Sequence, residues 1–134
     1  MPRCWESERP DMVQVIINKA AHRVEIAFKD GYSKAALAGF DTQLRAAASL
    51  AKGHGSWFDI LADFSDFGVM PQDTTDDGHA RIAWCMANGL RRSANVTGST
   101  IMKMQIERLA PDPRFQYFRT REQAAAWLDS PYSD

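Results

Sequence analysis

A chain of 134 residues, 45% hydrophobic and 25% charged, has the makeup of one globular domain rather than a disordered segment, and at this length folding buries roughly two thirds of the unfolded surface. Its formal net charge of −1 gives no bulk attraction to nucleic acid or to an anionic membrane surface, so nucleic acid is not expected as a partner. Two cysteines, Cys4 and Cys85, make no disulfide framework, and no apolar run approaches the roughly 18 residues of a membrane span, so no stable membrane insertion is expected.

Residues 1–11 read as a flexible arm ahead of a single domain over residues 12–130. The opening M-P-R-C-W-E-S-E-R-P lacks the apolar core of a secretory signal, which leads to the expectation of a soluble, cytoplasmic protein. Residues 12–18 and 22–28 are rich in Val and Ile. In the second run Val24, Ile26 and Phe28 alternate with Arg23, Glu25 and Lys29, the period of a half-buried strand. The short polar break at 19–21 makes the two runs a hairpin, which Asp30-Gly31 closes. Residues 33–52 predict a helix, with Leu37, Phe40, Leu44, Ala47 and Ala51 on one face and Ala frequent elsewhere. Gly53 and Gly55 mark its stop, as a left-handed C-cap requires, and Lys52 in the last turn complements the helix dipole.

The most apolar strand candidate covers residues 57–64. Phe58, Ile60 and Ala62 face one way and Trp57, Asp59, Leu61 and Asp63 the other, a pattern that suits a central strand with helices on both sides. An aspartate-rich loop follows. A helix then starts near Thr75, with Asp76 and Asp77 in its first turn, a core stripe of Ile82, Met86 and Leu90, and Asn88-Gly89 at its end. Arg91-Arg92 falls at that helix end, where the dipole accounts for it. Residues 93–99 form a weak strand carried by Val96. Residues 101–109 fit strand alternation as well as a helical stripe of Met102, Ile106 and Leu109; helix is favoured because Ser99 or Thr100 can cap it. Pro111 and Pro113 break the chain. An aromatic strand at 115–118 precedes a last helix, capped by Thr120, that carries Ala124, Trp127 and Leu128 inward.

The charges are unevenly placed. Six aspartates and no Lys or Arg lie between Gly53 and Ala80, while from Arg81 to Arg121 eight basic residues face only Glu107 and Asp112. Internal pairing accounts for such a division before a charged partner does. No catalytic signature stands out. In G-H-G-S-W at 53–57 the serine precedes a strand, whereas a nucleophile elbow follows one. D-T-T-D-D-G at 73–78 lacks the alternating carboxylates and closing Glu of a calcium loop. His22, His54 and His79 have no metal-ligand spacing. Neither an enzyme nor a cofactor or metal is expected.

Two segments carry a family resemblance. The closing R-F-Q-Y-F-R-T-R-E-Q-A-A-A-W-L, an aromatic strand followed by E-x-A-x-x-W-L, and the central I-L-A-D-F-S, a strand ending in D-x-S, resemble the STAS-like (SpoIIAA-like) family. The resemblance runs from about Met12 to Leu128. It implies an α/β fold, a single-domain STAS-like fold with a four- to five-stranded mixed sheet flanked by about four helices, and a non-enzymatic regulatory role. In anti-sigma-factor antagonists of this kind a Ser at the start of the helix after the D-x-S strand is phosphorylated. Here the corresponding place falls near Pro71-Gln72, where no Ser stands, and Thr74 and Thr75 are the nearest hydroxyls. Asp73, Asp76 and Asp77 would repel a phosphate there, so the expectation is a fixed anionic surface without the phospho-switch.

Two functions follow as expectations. The first is a protein-interaction module, or a homodimer, working through the loop at 65–78 and the helix at 77–90. Asp73, Thr74, Thr75, Asp76 and Asp77 would form its contact surface, with Met70 and Trp84 as apolar anchors. The alternative is a binding domain for a small hydrophobic ligand, a lipid or metabolite, since STAS-like proteins also resemble small lipid-binding domains. Phe64, Phe67 and Val69 would line its pocket.

Overall fold

The computed structural model describes residues 13–29, 34–66 and 75–132. The arm expected at 1–11, with Cys4, lies outside the described residues. Among them the chain forms an α/β fold: a five-stranded mixed sheet and four helices. β1 (Val13–Asn18) and β2 (Arg23–Lys29) pair antiparallel. The turn between them closes through the Asn18 side chain, which accepts from the Ala21 N–H, and through His22 at φ 54°. α1 (Lys34–Lys52), β3 (Phe58–Asp66), α2 (Thr75–Ala87), β4 (Leu90–Thr97), α3 (Thr100–Leu109), β5 (Phe115–Phe118) and α4 (Arg121–Asp129) follow. From β2 to β5 every neighbouring pair is parallel and the spatial order is the chain order. The order of the parallel strands never reverses across the sheet, so the topological switch point that makes strand ends a binding crevice in doubly wound folds does not arise.

The faces of β3 divide as its sequence pattern predicts. Phe58, Ile60, Ala62 and Phe64 enter one core with Phe40 and Leu44 of α1, Cys85 of α2, and Met102 and Ile106 of α3. Leu61 enters a second core with Ala94 and Val96 of β4 and Ala124 and Leu128 of α4. Three helices therefore cover one face of the sheet and α4 the other. Residues 101–109 resolve as helix because the Ser99 side chain accepts from the Met102 N–H and Met102, Ile106 and Leu109 are all buried. Thr120 caps α4 in the same way, through the Gln123 N–H.

The end of α2 differs from its sequence reading. Leu90 is not the last turn of the helix but the first residue of β4, and Arg91 and Arg92 lie in the strand. Gly89 makes this possible. Its φ is +105°, and a Cβ there would stand 2.5 Å from the Ser56 carbonyl oxygen, so only glycine lets the chain pass directly from helix into strand. Lys52 stands in the last turn of α1, as expected, and its Nζ also donates to the Asn88 carbonyl at 2.9 Å, just past the C-terminus of α2.

β4 then carries an irregularity. Phe58 and Ile60 of β3 face Leu90 and Ser93 of β4, so β4 holds one residue more than β3 over this stretch. Such a bulge re-aims side chains, and here both arginines reach Asp59, which is 1% exposed. Arg91 grips it with two bonds, Nε to Oδ1 at 3.1 Å and Nη2 to Oδ2 at 2.7 Å. The Arg92 backbone N–H donates to Oδ1 at 3.1 Å. The Arg92 guanidinium turns onward to the carbonyls of Trp127, Leu128 and Ser130, covering the C-terminus of α4. Burial pushes the Arg92 pKa below its ordinary value, and Asp59 opposes that shift. The Trp57 ring stacks on Arg91 at 3.5 Å. Asp59 thus ties the start of the central strand to the last helix.

Candidate functional site

α2 brings the acidic turn and the core together. Asp76 is exposed and Asp77 half-buried in its first turn, while one turn later Arg81 reaches back over α1. Arg81 Nε donates to Asp41 Oδ1 at 2.6 Å, and its guanidinium lies 5.0 Å from the Phe40 ring centre. Only 13% of the Arg81 side chain is exposed, and its Nη2 is buried with no hydrogen-bond partner. A buried donor left unpaired costs about 1–3 kcal/mol, more on a charged group, so this nitrogen calls for an explanation.

Arg81 lines a cavity of about 90 Å³ between the sheet and helices α1, α2 and α3. β2, β3 and β4 contribute its floor, with Ile60, Ala62 and Phe64 at the middle; Phe40 and Leu44 wall one side, and Ile106 and Leu109 the other. Gly78 and Cys85 of α2 form its roof. A Cβ on Gly78 would meet the Leu109 side chain at 3.2 Å, so the missing side chain lets α2 and α3 approach here. Ser93 and Asn95 are the other polar lining residues. The Asn95 amide is already engaged, donating to the Ser93 and Gln116 carbonyls, both at 3.2 Å.

Protein interiors hold few voids larger than a water. Burial pushes the Cys85 thiol, on the cavity wall, up to about 12, with Asp41 adding to the rise and Arg81 and Arg45 opposing it. At neutral pH it is a protonated, apolar wall element and not a nucleophile. Among the described residues no cluster of three or more His, Cys, Asp or Glu is placed to hold a metal ion, and no helix is long and apolar enough to cross a membrane.

The residues singled out from sequence distribute as follows. Phe64 lines the cavity and stacks on Phe28 at 4.4 Å. Asp77 and Trp84 line a smaller cleft of about 60 Å³ next to it, and Leu44 and Arg81 line both spaces. Trp84 is half-buried, with the Arg45 guanidinium 5.3 Å from its ring centre. Thr75 opens α2. Phe67, Val69, Met70, Asp73 and Thr74 lie outside the described residues. Sequence reasoning missed Arg81, Gly78 and Cys85 as cavity residues. Arg81 was legible only as one of eight basic residues, since its partner Asp41 is 40 positions away.

The D-x-S at the end of β3 forms a closed local unit. Asp63 Oδ1 accepts from the Ser65 N–H at 2.9 Å and the Ser65 hydroxyl at 2.6 Å, and Oδ2 accepts from Arg121 at 3.2 Å. Gly98 passes close by, since a Cβ there would be 2.9 Å from the Ser65 carbonyl oxygen.

Comparison of the chain with protein-family models, curated proteins and solved structures gives no match.

Proposed function

We propose that the chain is a non-enzymatic, STAS-like binding module that takes a small apolar molecule into the cavity beneath α2. The observation that carries this reading is the cavity itself, about 90 Å³ walled mainly by apolar side chains. Small-molecule sites combine such walls with a few placed polar groups. The hydrogen-bonded D-x-S unit and the five-stranded mixed sheet support the STAS-like assignment. The protonated state of Cys85 supports binding over chemistry. Benzene titrated into the protein should shift the NMR signals of Ala62, Ile106 and Leu109 saturably, and Ala62→Leu, which fills the space, should abolish the shifts. If shifts fail to saturate or scatter over the surface, the reading fails.

The exposure of Asp76 in the first turn of α2 favours a second reading, contact with a basic protein surface or a second copy of the chain. Asp59 and Asp63 are paired internally, so Asp76 is among the aspartates left facing outward. Replacing Asp76 and Asp77 by Ala tests it. Self-association in sedimentation, and capture of any protein partner, should weaken; unchanged association rejects the reading.

A further inference from the structure

We infer that the cavity ligand is an uncharged molecule with one hydrogen-bond acceptor, such as a ketone, ester or lactone carbonyl, which pairs with Arg81 Nη2 while its apolar body fills the space over Ala62. The inference rests on the cavity being a binding site and adds the ligand's chemical class.

Three observations converge on it. First, Arg81 lines the cavity, and its Nη2 is buried without a partner. Buried polar groups in folded proteins are nearly always satisfied, so an acceptor bound in the adjoining cavity gives this nitrogen its missing bond. Second, the charge of Arg81 is already met: Asp41 accepts from its Nε at 2.6 Å and stays beside it. What remains is an N–H without an acceptor, not a cation without a counter-ion. A ligand carboxylate would bring a second anion up to the same guanidinium as Asp41 and would leave water for a largely apolar chamber, and both oppose binding. A neutral carbonyl meets neither penalty. Third, the Asn95 amide does not compete for the acceptor's place, because it is committed to Ser93 and Gln116. The cavity volume, about 90 Å³, sets the scale, that of one small ring. The buried part of the ligand is therefore no larger than benzene, a five-carbon ring or a short aliphatic segment.

The test uses three probes built on one five-carbon ring, cyclopentanone, cyclopentane and cyclopentanecarboxylate, titrated into the full chain and followed by the NMR signals of the cavity residues. Cyclopentanone should bind about ten-fold or more tighter than cyclopentane, the scale of a hydrogen bond to a charged donor. It should also bind tighter than the carboxylate. In Arg81→Met, which keeps the length of the side chain and removes its donors, the ketone and the hydrocarbon should bind alike. Asp41 is 39% exposed and is hydrated in that variant, and the wild-type comparison of the three probes stands without it. If cyclopentane binds as tightly as cyclopentanone, the cavity is a purely apolar site and the acceptor inference falls while the proposed function survives. If the carboxylate binds tightest, the uncharged class is overturned. If none of the three binds, the cavity is not a ligand site and both fall together.

Discussion

Asp59→Ala is the sharpest probe of what holds this fold together. Asp59 is 1% exposed and faces Arg91, whose side chain is 18% exposed, and Arg92, at 7%. In the native state its two oxygens accept from Nε and Nη2 of Arg91 and from the Arg92 backbone N–H. Truncation removes every one of these acceptors and leaves two arginines side by side with no counter-charge. Breaking a buried pair from one side costs about 3–5 kcal/mol, because the surviving charge keeps its desolvation penalty. For a chain of this size each kcal/mol lowers Tm by about 3–5 °C, so the expected drop is about 10–20 °C. Chemical denaturation with the same variant gives the free energy directly. Arg91→Ala should cost less, since the Arg92 N–H remains on Asp59 Oδ1 and the Arg92 guanidinium stands 3.8 Å from Oδ2. The double variant should then be less destabilised than the sum of the two. A loss below about 1 kcal/mol for Asp59→Ala, the range of a solvated surface pair, would show that water reaches the cluster and would refute the argument.

Three further outcomes are expected. The Cys85 thiol is raised from 9.0 to about 12 in the folded protein, so its contribution to stability is complete below pH 9 and is lost as pH rises towards 12, at about 1.4 kcal/mol per unit; urea unfolding at pH 7.5 and 10.5 should show wild type losing about 2 kcal/mol more than Cys85→Ala, and equal losses would mean an accessible thiol. Gly89→Ala places a Cβ 2.5 Å from the Ser56 carbonyl at φ +105° and should destabilise by at least about 1–3 kcal/mol in the same assay. Arg121 bridges Glu25 at 3.0 Å and Asp63 at 3.2 Å, but its side chain is 43% exposed; Arg121→Ala should cost under about 1 kcal/mol and less still in high salt.

Hydrophobic period made much of this fold legible. The alternation of Val24, Ile26 and Phe28, the stripe of Phe40, Leu44, Ala47 and Ala51, and the two-faced pattern of β3 all match buried positions. Capping chemistry did the same for Ser99 and Thr120. Failures occurred where a local signal was overridden by a contact far away in sequence. Leu90 continues the spacing of Ile82 and Met86 on paper, yet Gly89 and the Ser56 carbonyl turn the chain out of the helix one residue before it. Arg91-Arg92 reads as a helix-end cation pair because nothing local indicates a bulge, and Asp59 lies more than 30 positions away. The candidate site follows the same rule. Phe64 was legible because strand alternation turns it inward, whereas Arg81 enters the site only through its pairing with Asp41 across two helices.

The two faces of the sheet carry their charged side chains in different settings, ion pairs under α4 and a single arginine beside the cavity. On the α4 face the charges are paired, Asp59 with Arg91, Arg23 with Asp129, and Asp63 and Glu25 with Arg121, although Arg23 Nε and Arg92 Nε are buried there without a hydrogen-bond partner. The acidic and basic stretches of the sequence thus meet inside the molecule, and Asp59 and Asp63 are withdrawn from any outward field. What remains of the acidic stretch among the described residues is Asp66 and Asp76, exposed, with Asp77 half-buried beside Arg45 and Arg81 in the smaller cleft. On the opposite face the polarity is unmatched in one place only among the cavity-lining side chains, at Arg81 Nη2. Asp77, Arg81 and Trp84 share one cleft on α2, and Arg81 also borders the cavity. A ligand that engages Arg81 therefore acts on the same helix that presents Asp76. Under the proposed function the ligand and the partner would thus contact one helix, and any coupling between them must alter each other's affinity by the same factor.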